Sequence, residues 1–545
     1  MISLFFSAFI SNLSYFLLGK TLCNTIYPHK KINIFEYLIY GFIITSFIAV
    51  LLNFFTPLNK TNNSIFLFLI VTSFFFFKEK IYRDEILIIF GISILLIIFI
   101  IFDTVNRPDA MMYHLPFSKI LNEEKIIIGL SNLHFRFSHV SILQYSSAIN
   151  VNYLVGDDGI IIPLASIYIF LVLYFFYELK KSLKEKNSSI SKFILSVILI
   201  FIAYKINRYS KIGNDDIGHL IAFLIVYKFL DYKKINFIKF NEISLLSVFL
   251  LANKFSLILF CLIPIFISFQ NIKFLKKIYN SLPFFFLIIW CIKNILISGC
   301  FLYPIEQTCL KNLSWIDIKN IKKENVSAEA WAKDWPNYNK KKNGMKNYIE
   351  NFNWIETWSN NHFKKIIKNI LPLIVLLTIL VIFNFNRKDF KNQSGNLKKK
   401  FLCVLVISII GCLIFFLKFP LYRYGYSYLA IFIALFFSIF MNFGNKNKIF
   451  IIYKFVLIFF VIILFSKQFV RHYEFYSARP LIPKYIQEDL ELQKINLDKN
   501  FSYYYNENRN CWYNVALCTY YNLNTIKFNE FLSYKFLLLD KFEDK

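Results

Sequence analysis

The sequence predicts an all-α polytopic membrane protein. Hydrophobic residues make up 57% of the chain and charged residues only 18%, which is more apolar than is usual for a soluble domain. The apolar residues form continuous blocks, and the runs 86–102, 160–177 and 370–385 approach or reach the length that spans a bilayer, about 20 residues. Low charge and block length together indicate a bundle of membrane-crossing helices.

The net charge of +28 does not indicate nucleic-acid binding. Lysine and arginine residues fall largely in short segments between apolar runs, as the positive-inside rule requires of cytoplasmic loops. No basic stripe with interleaved aromatic residues occurs on a soluble segment. We therefore expect the lipid bilayer, and no nucleic acid, as a partner. Residues 1–18 lack a basic leading segment and a cleavage site, so we interpret them as a retained helix.

The lysine-rich short loops predict which segments face outward. Placing these loops in the cytoplasm makes residues 103–159 and 298–368 long extracytoplasmic loops. The domain organisation that follows is a polytopic membrane domain of residues 1–466 and a small extracytoplasmic α/β tail of residues 467–545. The seven tryptophans agree, because each falls in an outer segment or in the helix that leads to one.

One apolar run, 244–269, has basic loops on both sides, which a single crossing does not allow. A break at residues 252–255 resolves this conflict, because two short helices then meet near the outer surface beside Lys254. With this break the chain has about 12–14 transmembrane helices and both termini outside. The alternative is one tilted helix from which the Lys254 ammonium snorkels to the interface.

Four cysteines form two close pairs in the predicted outer segments, Cys300 with Cys309 and Cys511 with Cys518. An oxidising compartment would let both pairs form disulfides. Neither pair has a second pair at zinc-site spacing, so a metal site is the weaker interpretation and no metal ligands are predicted.

The segment 103–116 is the first candidate for a functional site. It follows the apolar run 86–102 and brings together residues that carry charge or transfer protons: Asp103, Arg107, Asp109, Tyr113 and His114. Ionisable groups where a membrane helix ends are a functional hypothesis by default. The alternative is a solvated loop that caps a helix.

Further candidates lie in other segments that face the same side: Asp215, Asp216, Lys254, Lys293 and Arg423. Structural interpretations exist for several of them. Asp215 or Asp216 could be the N-cap of the helix 217–230, and Arg423 could anchor a helix end at lipid headgroups. Their concentration on one face of the bundle favours a common site.

Several cations and a carboxylate at a membrane surface suit transfer from a lipid-linked sugar phosphate. Lysine and arginine would stabilise the charge of the departing phosphate. A carboxylate would deprotonate or orient the acceptor hydroxyl. Because the donor comes from the bilayer, no nucleotide-binding motif is required.

The segment Asp109-Ala-Met-Met-Tyr-His-Leu-Pro116 resembles the catalytic first outer loop of the GT-C glycosyltransferases. These multi-pass enzymes, which include the protein mannosyltransferase and aminoarabinose transferase types, use polyprenyl-phosphate sugars. In that family an aspartate, often followed by glutamate, precedes a tyrosine by four positions, and Asp109 and Tyr113 match this spacing. Ala110 replaces the second acid, which leaves open whether a divalent cation or another carboxylate takes part.

Shorter segments extend the resemblance. Residues 214–216 are similar to the second acidic motif of that family, and 252–256 resemble its lysine-bearing helix break. Residues 293–304 and 511–518 are similar to a poorly characterised bacterial cell-envelope branch. The resemblance implies a GT-C-like bundle in the bacterial inner membrane with its active face outside.

The same resemblance implies roles for individual residues. Asp109 would activate the acceptor, with Tyr113 and His114 as further catalytic candidates. Lys254 and Arg423 would hold the donor phosphate. The other predicted substrate-binding residues are Asp103, Arg107, Asp215, Asp216 and Lys293. The acceptor would be a lipopolysaccharide, another envelope glycan or a lipid.

Two other classes remain open. An O-antigen polymerase or ligase is also a multi-pass enzyme, but outer arginine and histidine residues would dominate its site. A polysaccharide or lipid transporter would perform no covalent chemistry. Transporters favour inverted repeats and charges near the bilayer midplane. The chain has no evident internal repeat, and its candidate residues cluster at one face.

Overall fold

The computed structural model describes residues 2–26, 32–76, 80–102, 109–206, 212–278, 281–339, 344–385, 395–475, 491–498, 501–508, 511–521 and 526–539. The first ten α-helices are α1 (Ile2–Ile26), α2 (Ile34–Asn53), α3 (Lys60–Phe76), α4 (Arg83–Phe102), α5 (Leu115–Glu123), α6 (Ile142–Ile149), α7 (Ile162–Lys184), α8 (Ile190–Lys205), α9 (Asp215–Asp231) and α10 (Phe237–Asn253). They are followed by α11 (Leu262–Gln270), α12 (Leu275–Ile278), α13 (Leu282–Ser298), α14 (Ile318–Ala332), α15 (Gly344–Glu350), α16 (Trp354–Trp358), α17 (Lys364–Phe383), α18 (Gly395–Lys418), α19 (Tyr422–Ser438) and α20 (Lys446–Phe475).

Five of the described helical segments are long and apolar enough to cross a membrane. They are α2, α7, the continuous segment Trp354–Phe383, α18 and the Lys446–Arg471 part of α20. Three shorter apolar segments accompany them: Lys60–Phe76, Phe255–Gln270 and Leu282–Ser298. The protein is therefore mostly helical, with several segments suited to a bilayer. The larger total of about 12–14 crossings stays a prediction.

The bundle has a buried centre and an apolar periphery. α8 and α9 are buried on nearly all sides, which explains why their sequences are apolar throughout. The outer helices expose large apolar side chains, such as Ile382 on α17, Leu413 on α18 and Ile462 on α20. An apolar surface of this extent on several helices is compatible with contact to lipid.

The break expected within 244–269 is present. α10 ends at Asn253, and Lys254 has an extended backbone with φ −145° and ψ 100°. A 3-10 helix, Phe255–Cys261, then leads into α11. α9 packs closely against the break, because a Cβ atom on Gly218 would lie 2.9 Å from the Lys254 Cβ. The backbone of Lys254 is thus fixed at the point where the chain changes direction.

Buried ion pairs connect helices at the end of the bundle opposite this break. The Lys228 Nζ on α9 lies 2.6 Å from both Glu36 Oε1 on α2 and Glu242 Oε1 on α10. Lys192 on α8 pairs with Glu178 on α7 at 3.0 Å. Since buried charges are costly unless paired, these contacts hold particular helix ends together.

The C-terminal tail differs from its expected form. α20 continues to Phe475 and so passes the predicted boundary at 466, and the described residues beyond it contain strands and no helix. The strands are β1 (Gln493–Asp498), β2 (Phe501–Tyr505), β3 (Cys518–Thr519), β4 (Ile526–Phe531) and β5 (Tyr534–Leu539). β1 is antiparallel to β2, β2 is parallel to β3, and β4 and β5 form a separate antiparallel hairpin.

The tail packs against the helical domain. Ile128 and Phe536 form a parallel bridge, and the Leu537 N–H donates to the Ile128 carbonyl at 2.9 Å. The Thr519 hydroxyl donates to the Leu133 carbonyl at 2.9 Å. We call this end of the molecule, which also carries the C-terminal end of α2 and the N-terminal end of α9, the site end.

Candidate functional site

A wide helical turn carries the first group of candidate residues. Asp109 precedes the π-helix Ala110–His114, which continues into α5. The Met111 carbonyl in this turn accepts the N–H groups of Cys511 and Trp512 at 3.1 and 3.0 Å. Short π-helical turns occur frequently at functional sites. The tail thus fixes the turn that presents Asp109, Tyr113 and His114.

Both cysteine pairs are disulfide-bonded. Cys511–Cys518 closes the loop whose first two N–H groups contact Met111. Cys300–Cys309 closes the segment directly after α13. The Asn294 side chain of α13 donates to the Phe301 carbonyl at 2.8 Å and ties this second loop to the helix.

Asp109 lies between two guanidinium groups from distant parts of the chain. Its Oδ2 is 3.2 Å from Arg423 Nη1, and its Oδ1 is 3.7 Å from Arg136 Nη1. The carboxylate remains 28% exposed, so solvent or a ligand can reach it. The Arg136 guanidinium also lies 5.3 Å from the centre of the Tyr113 ring. These contacts orient the Asp109 carboxylate, and the two guanidinium groups offset its negative charge.

A second ion pair lies beside the first. Lys254 pairs with Asp215, and both side chains are only 12% exposed. The Tyr424 ring lies between the two pairs, with Lys254 Nζ 4.6 Å and the Arg423 guanidinium 4.9 Å from its centre. Five groups from four distant parts of the chain therefore form one cluster, which we call the Asp109 site: Asp109, Asp215, Lys254, Arg423 and Tyr424.

The N-cap interpretation of Asp215 and Asp216 is wrong. Asn214 occupies the N-cap of α9, and its side chain makes no capping hydrogen bond. It donates instead to the Asn253 carbonyl at 3.1 Å, which joins α9 to the helix break. Asp215 faces Lys254, and Asp216 accepts a hydrogen bond from the Tyr426 hydroxyl at 2.8 Å. Asp216 thus contacts α19.

His114 is buried and electrically neutral at pH 7. The Gln144 Oε1 accepts the Ser141 N–H at 2.8 Å, which leaves the Gln144 amide nitrogen to donate to His114 Nδ1, also at 2.8 Å. His114 therefore carries its proton on Nε2. Burial lowers the pKa of His114 to about 4, with smaller effects from Asp109 and Asp215. Nε2 has no hydrogen-bond partner among the described residues and can donate to a ligand oxygen.

The low pKa of His114 predicts a loss of stability in weak acid. The unfolded chain binds a proton near pH 6.5 and the folded chain only near pH 4, so the free energy of unfolding falls as pH decreases through this window. The full contribution is about 3 kcal/mol. Thermal unfolding in detergent at pH 7 and pH 4.5 would measure it. His114→Asn keeps an acceptor for Gln144 but does not titrate, so this variant should lose less stability than the wild type between these pH values. An equal loss of stability in both proteins would contradict the low pKa of His114.

Lys293 lies to one side of the Asp109 site. It is fully buried in α13, where its ammonium donates to Asn294 Oδ1 at 3.2 Å and lies 4.3 Å from the centre of the Trp290 ring. No carboxylate among the described residues is within ion-pair distance of it. Asp103 and Arg107, which the sequence also proposes as substrate-binding residues, lie outside the described residues.

Three residues near the site are absent from the sequence-based selection. Arg136 has a buried Nε without a hydrogen-bond partner in the described part of the chain. Tyr424 separates the two cations, and Glu324 on α14 has a raised pKa because of burial, despite the field of Arg136. An isolated arginine in the aromatic segment 133–139 is a sequence signal for the first. Nothing local distinguishes Tyr424 or Glu324.

The described residues do not provide a metal site. They contain no group of three or more histidine, cysteine, aspartate or glutamate side chains placed to hold an ion. Both Asp109 oxygens face guanidinium groups, which does not fit a residue that ligates a divalent cation.

Comparison with known proteins identifies the family. A family model described as "Domain of unknown function (DUF8201)" matches residues 1–430. This span includes the whole Asp109 site, while the C-terminal strands lie beyond it. No curated protein and no solved structure matches the chain. Because the family model covers most of the sequence, the chain belongs to the DUF8201 family.

Proposed function

We propose that this protein is a membrane glycosyltransferase of the GT-C type. It transfers a sugar from a polyprenyl-phosphate-linked donor to an envelope glycan or lipid acceptor at the outer face of the plasma membrane. The observation that carries this proposal is the position of Asp109, a partly exposed carboxylate held by Arg136 and Arg423 beside the Lys254–Asp215 pair. The cations suit the phosphate of a lipid-linked sugar, and the accessible acid suits an acceptor hydroxyl.

The donor phosphate would bind to the cations of the Asp109 site. Lys254 and Arg423 flank the Tyr424 ring, and the buried Arg136 Nε has a free N–H among the described residues. A phosphate on Arg423 would compete with the Asp109 carboxylate for the same guanidinium. Donor binding would thereby release one Asp109 oxygen for the acceptor.

In the transfer step, the residues of the Asp109 site supply an acceptor for the proton and cations for the leaving phosphate. The acceptor oxygen forms a bond to the anomeric carbon while the bond from that carbon to the phosphate oxygen breaks. The acceptor proton passes to Asp109, and the polyprenyl phosphate leaves with its charge stabilised by Arg423 and Lys254. The His114 Nε2–H is available to hold a sugar or acceptor oxygen. Burial raises the pKa of Tyr113, so its phenol stays protonated and can donate a hydrogen bond to a substrate oxygen.

The outward orientation of the site draws support from the tail. The disulfide-bonded loop 511–518 contacts the π-helix directly, so it and the site lie on the same side of the membrane. Disulfides persist in oxidising compartments and are rare in the cytosol. An extracytoplasmic site agrees with a donor presented at the outer leaflet.

A polymerase- or ligase-type reaction is the second candidate. It is favoured by one observation, namely that both Asp109 oxygens face arginine side chains. In such an enzyme the carboxylate would only position Arg136 and Arg423, and these arginines would contact the substrates. Asp109→Asn would then retain much of the activity, whereas replacement of either arginine would abolish it.

Replacement of Asp109 by asparagine tests the proposal. Asn keeps the size and accepts one hydrogen bond but cannot take a proton, so transfer should fall by about 100-fold or more. Glycan profiling of a deletion strain complemented with wild type or Asp109→Asn would measure the product. Asp157→Asn is the matched control, because Asp157 is an exposed acid paired with Lys60 at 3.1 Å. Unchanged glycans in Asp109→Asn at equal expression would refute Asp109 as the base.

A further inference from the structure

The turn of the β4–β5 hairpin presents two large apolar side chains to its surroundings. Phe531 is 64% exposed and Leu532 is 75% exposed. Leu532 and Ser533 have positive φ angles of 48° and 61°, where glycine or asparagine is the usual choice in a two-residue hairpin turn. A leucine at such a position is unfavourable both for the backbone and for solvation. Apolar residues at an exposed tip indicate a surface that contacts something apolar.

The hairpin turn lies at the level where membrane-crossing helices end. The Tyr534 hydroxyl donates to the carbonyl of Phe54, the residue directly after α2, at 3.0 Å. Next to β5, the Gly129 N–H donates at 2.8 Å to the Leu296 carbonyl in the last turn of α13. α2 is one of the five helices suited to cross the membrane. The tip therefore lies level with the end of a helix that is suited to cross a membrane, at the site end.

An apolar cavity continues inward from the tip. It has a volume of about 210 Å³ and opens to the surface. Its walls come from the end of α2, the segment before Gly129, the end of α13 and the hairpin: Phe54, Ile126, Ile128, Leu296, Phe531, Tyr534 and Phe536. The neighbouring Phe55 is 66% exposed and extends the apolar surface along the same edge.

The edge of this surface is basic and aromatic. The Lys125 ammonium donates to the Ser533 hydroxyl at 2.5 Å and lies 3.8 Å from the centre of the Tyr534 ring. Lys535 pairs with Glu124 at 2.5 Å. Lysine and tyrosine beside exposed phenylalanine and leucine is the residue combination of the membrane interface, where cations meet anionic headgroups.

We infer that the 531–533 turn inserts into the adjacent leaflet and that the cavity behind it holds a lipid acyl chain. Burial of the Phe531 and Leu532 side chains in lipid removes the exposed apolar area, and Lys125 lies at headgroup depth. The same tail holds the π-helix through Cys511 and Trp512. Insertion of the hairpin thus anchors the tail to the membrane beside the Asp109 site. This inference depends on the membrane-crossing helices and not on the proposed transfer reaction.

Photocrosslinking of the full-length protein in its native membrane tests this. Phe531 is replaced by p-benzoyl-phenylalanine, which the exposed position accommodates, and the adduct is identified by mass spectrometry. We expect a phospholipid adduct at Phe531 in at least about tenfold higher yield than at Lys494, an exposed residue of β1 carrying the same photoprobe. A crosslinked dimer at Phe531 would overturn the proposal in favour of a second copy of the chain. Absence of lipid at Phe531, or equal yields at both positions, would also overturn it.

Discussion

Replacement of Gly41 by alanine is expected to lower the free energy of unfolding by about 3 kcal/mol or more. α1 and α2 cross at Gly19 and Gly41, where the two backbones approach each other. A Cβ atom on Gly41 would lie 1.8 Å from the Tyr15 carbonyl oxygen, and one on Gly19 would lie 1.9 Å from the Tyr37 carbonyl oxygen. Both obstacles are backbone atoms in helices, so no side-chain rotation relieves the overlap. Small residues permit such close crossings between membrane helices.

Gly91→Ala is the matched control for this substitution. Gly91 lies in α4, and nothing is within 4 Å of its added Cβ. Alanine is the better helix former, so this variant should match or slightly exceed the wild type in stability. Thermal unfolding of the three proteins in one detergent would compare them. If Gly41→Ala and Gly91→Ala unfolded at the same temperature, the close contact between α1 and α2 would be wrong.

The local features of this protein follow well from its sequence. Long apolar runs correspond to helices because a helix in an apolar environment satisfies its own backbone groups, whatever it packs against. The break at Lys254 is predictable because basic loops flank both sides of one apolar run. The extra length of α20 is not, since the residues after 466 combine polar and apolar side chains and do not mark a helix end.

The contacts that make the site lie beyond such reasoning. Asp109 and Arg423 are 314 residues apart, and Lys254 and Asp215 are brought together by the packing of α9 against the helix break. The sequence proposes these residues one by one, as members of one face, but contains no signal for which cation contacts which acid. Arg136 illustrates the same point, because its partner Asp109 depends on how two outer segments fold over each other.

The tail is the least predictable part. Its strands are short, and β5 pairs with the isolated residue Ile128 of the helical domain and not only with β4. Alternating polarity does not reveal such a bridge in either partner segment. The π-helix is hard to predict for the same reason. Its Met111 carbonyl accepts hydrogen bonds from the loop 511–518, about 400 residues later in the chain.

Replacement of Arg423 by lysine is expected to reduce the proposed transfer reaction by about 100- to 1,000-fold. The guanidinium contacts Asp109 Oδ2 through Nη1 at 3.2 Å and the Tyr424 hydroxyl through Nη2 at 3.0 Å. A single ammonium group keeps the charge but does not hold both partners in this geometry. The loss should fall mainly on kcat, because the departing phosphate gains charge in the transition state. Initial rates in membranes with a polyprenyl-phosphate sugar would measure it.

Two comparisons separate this effect from a general loss of fold. Arg83→Lys, at an exposed position at the start of α4, should leave the rate unchanged. The double variant of Asp109→Asn with Arg423→Lys should be little slower than the slower single variant, because a carboxylate and a guanidinium that act as a unit are lost together. If the rate loss of the double variant equalled the product of the two single losses, the two groups would serve independent steps. Asp109 would then act without release from Arg423, and the competition of the donor phosphate for that guanidinium would be refuted.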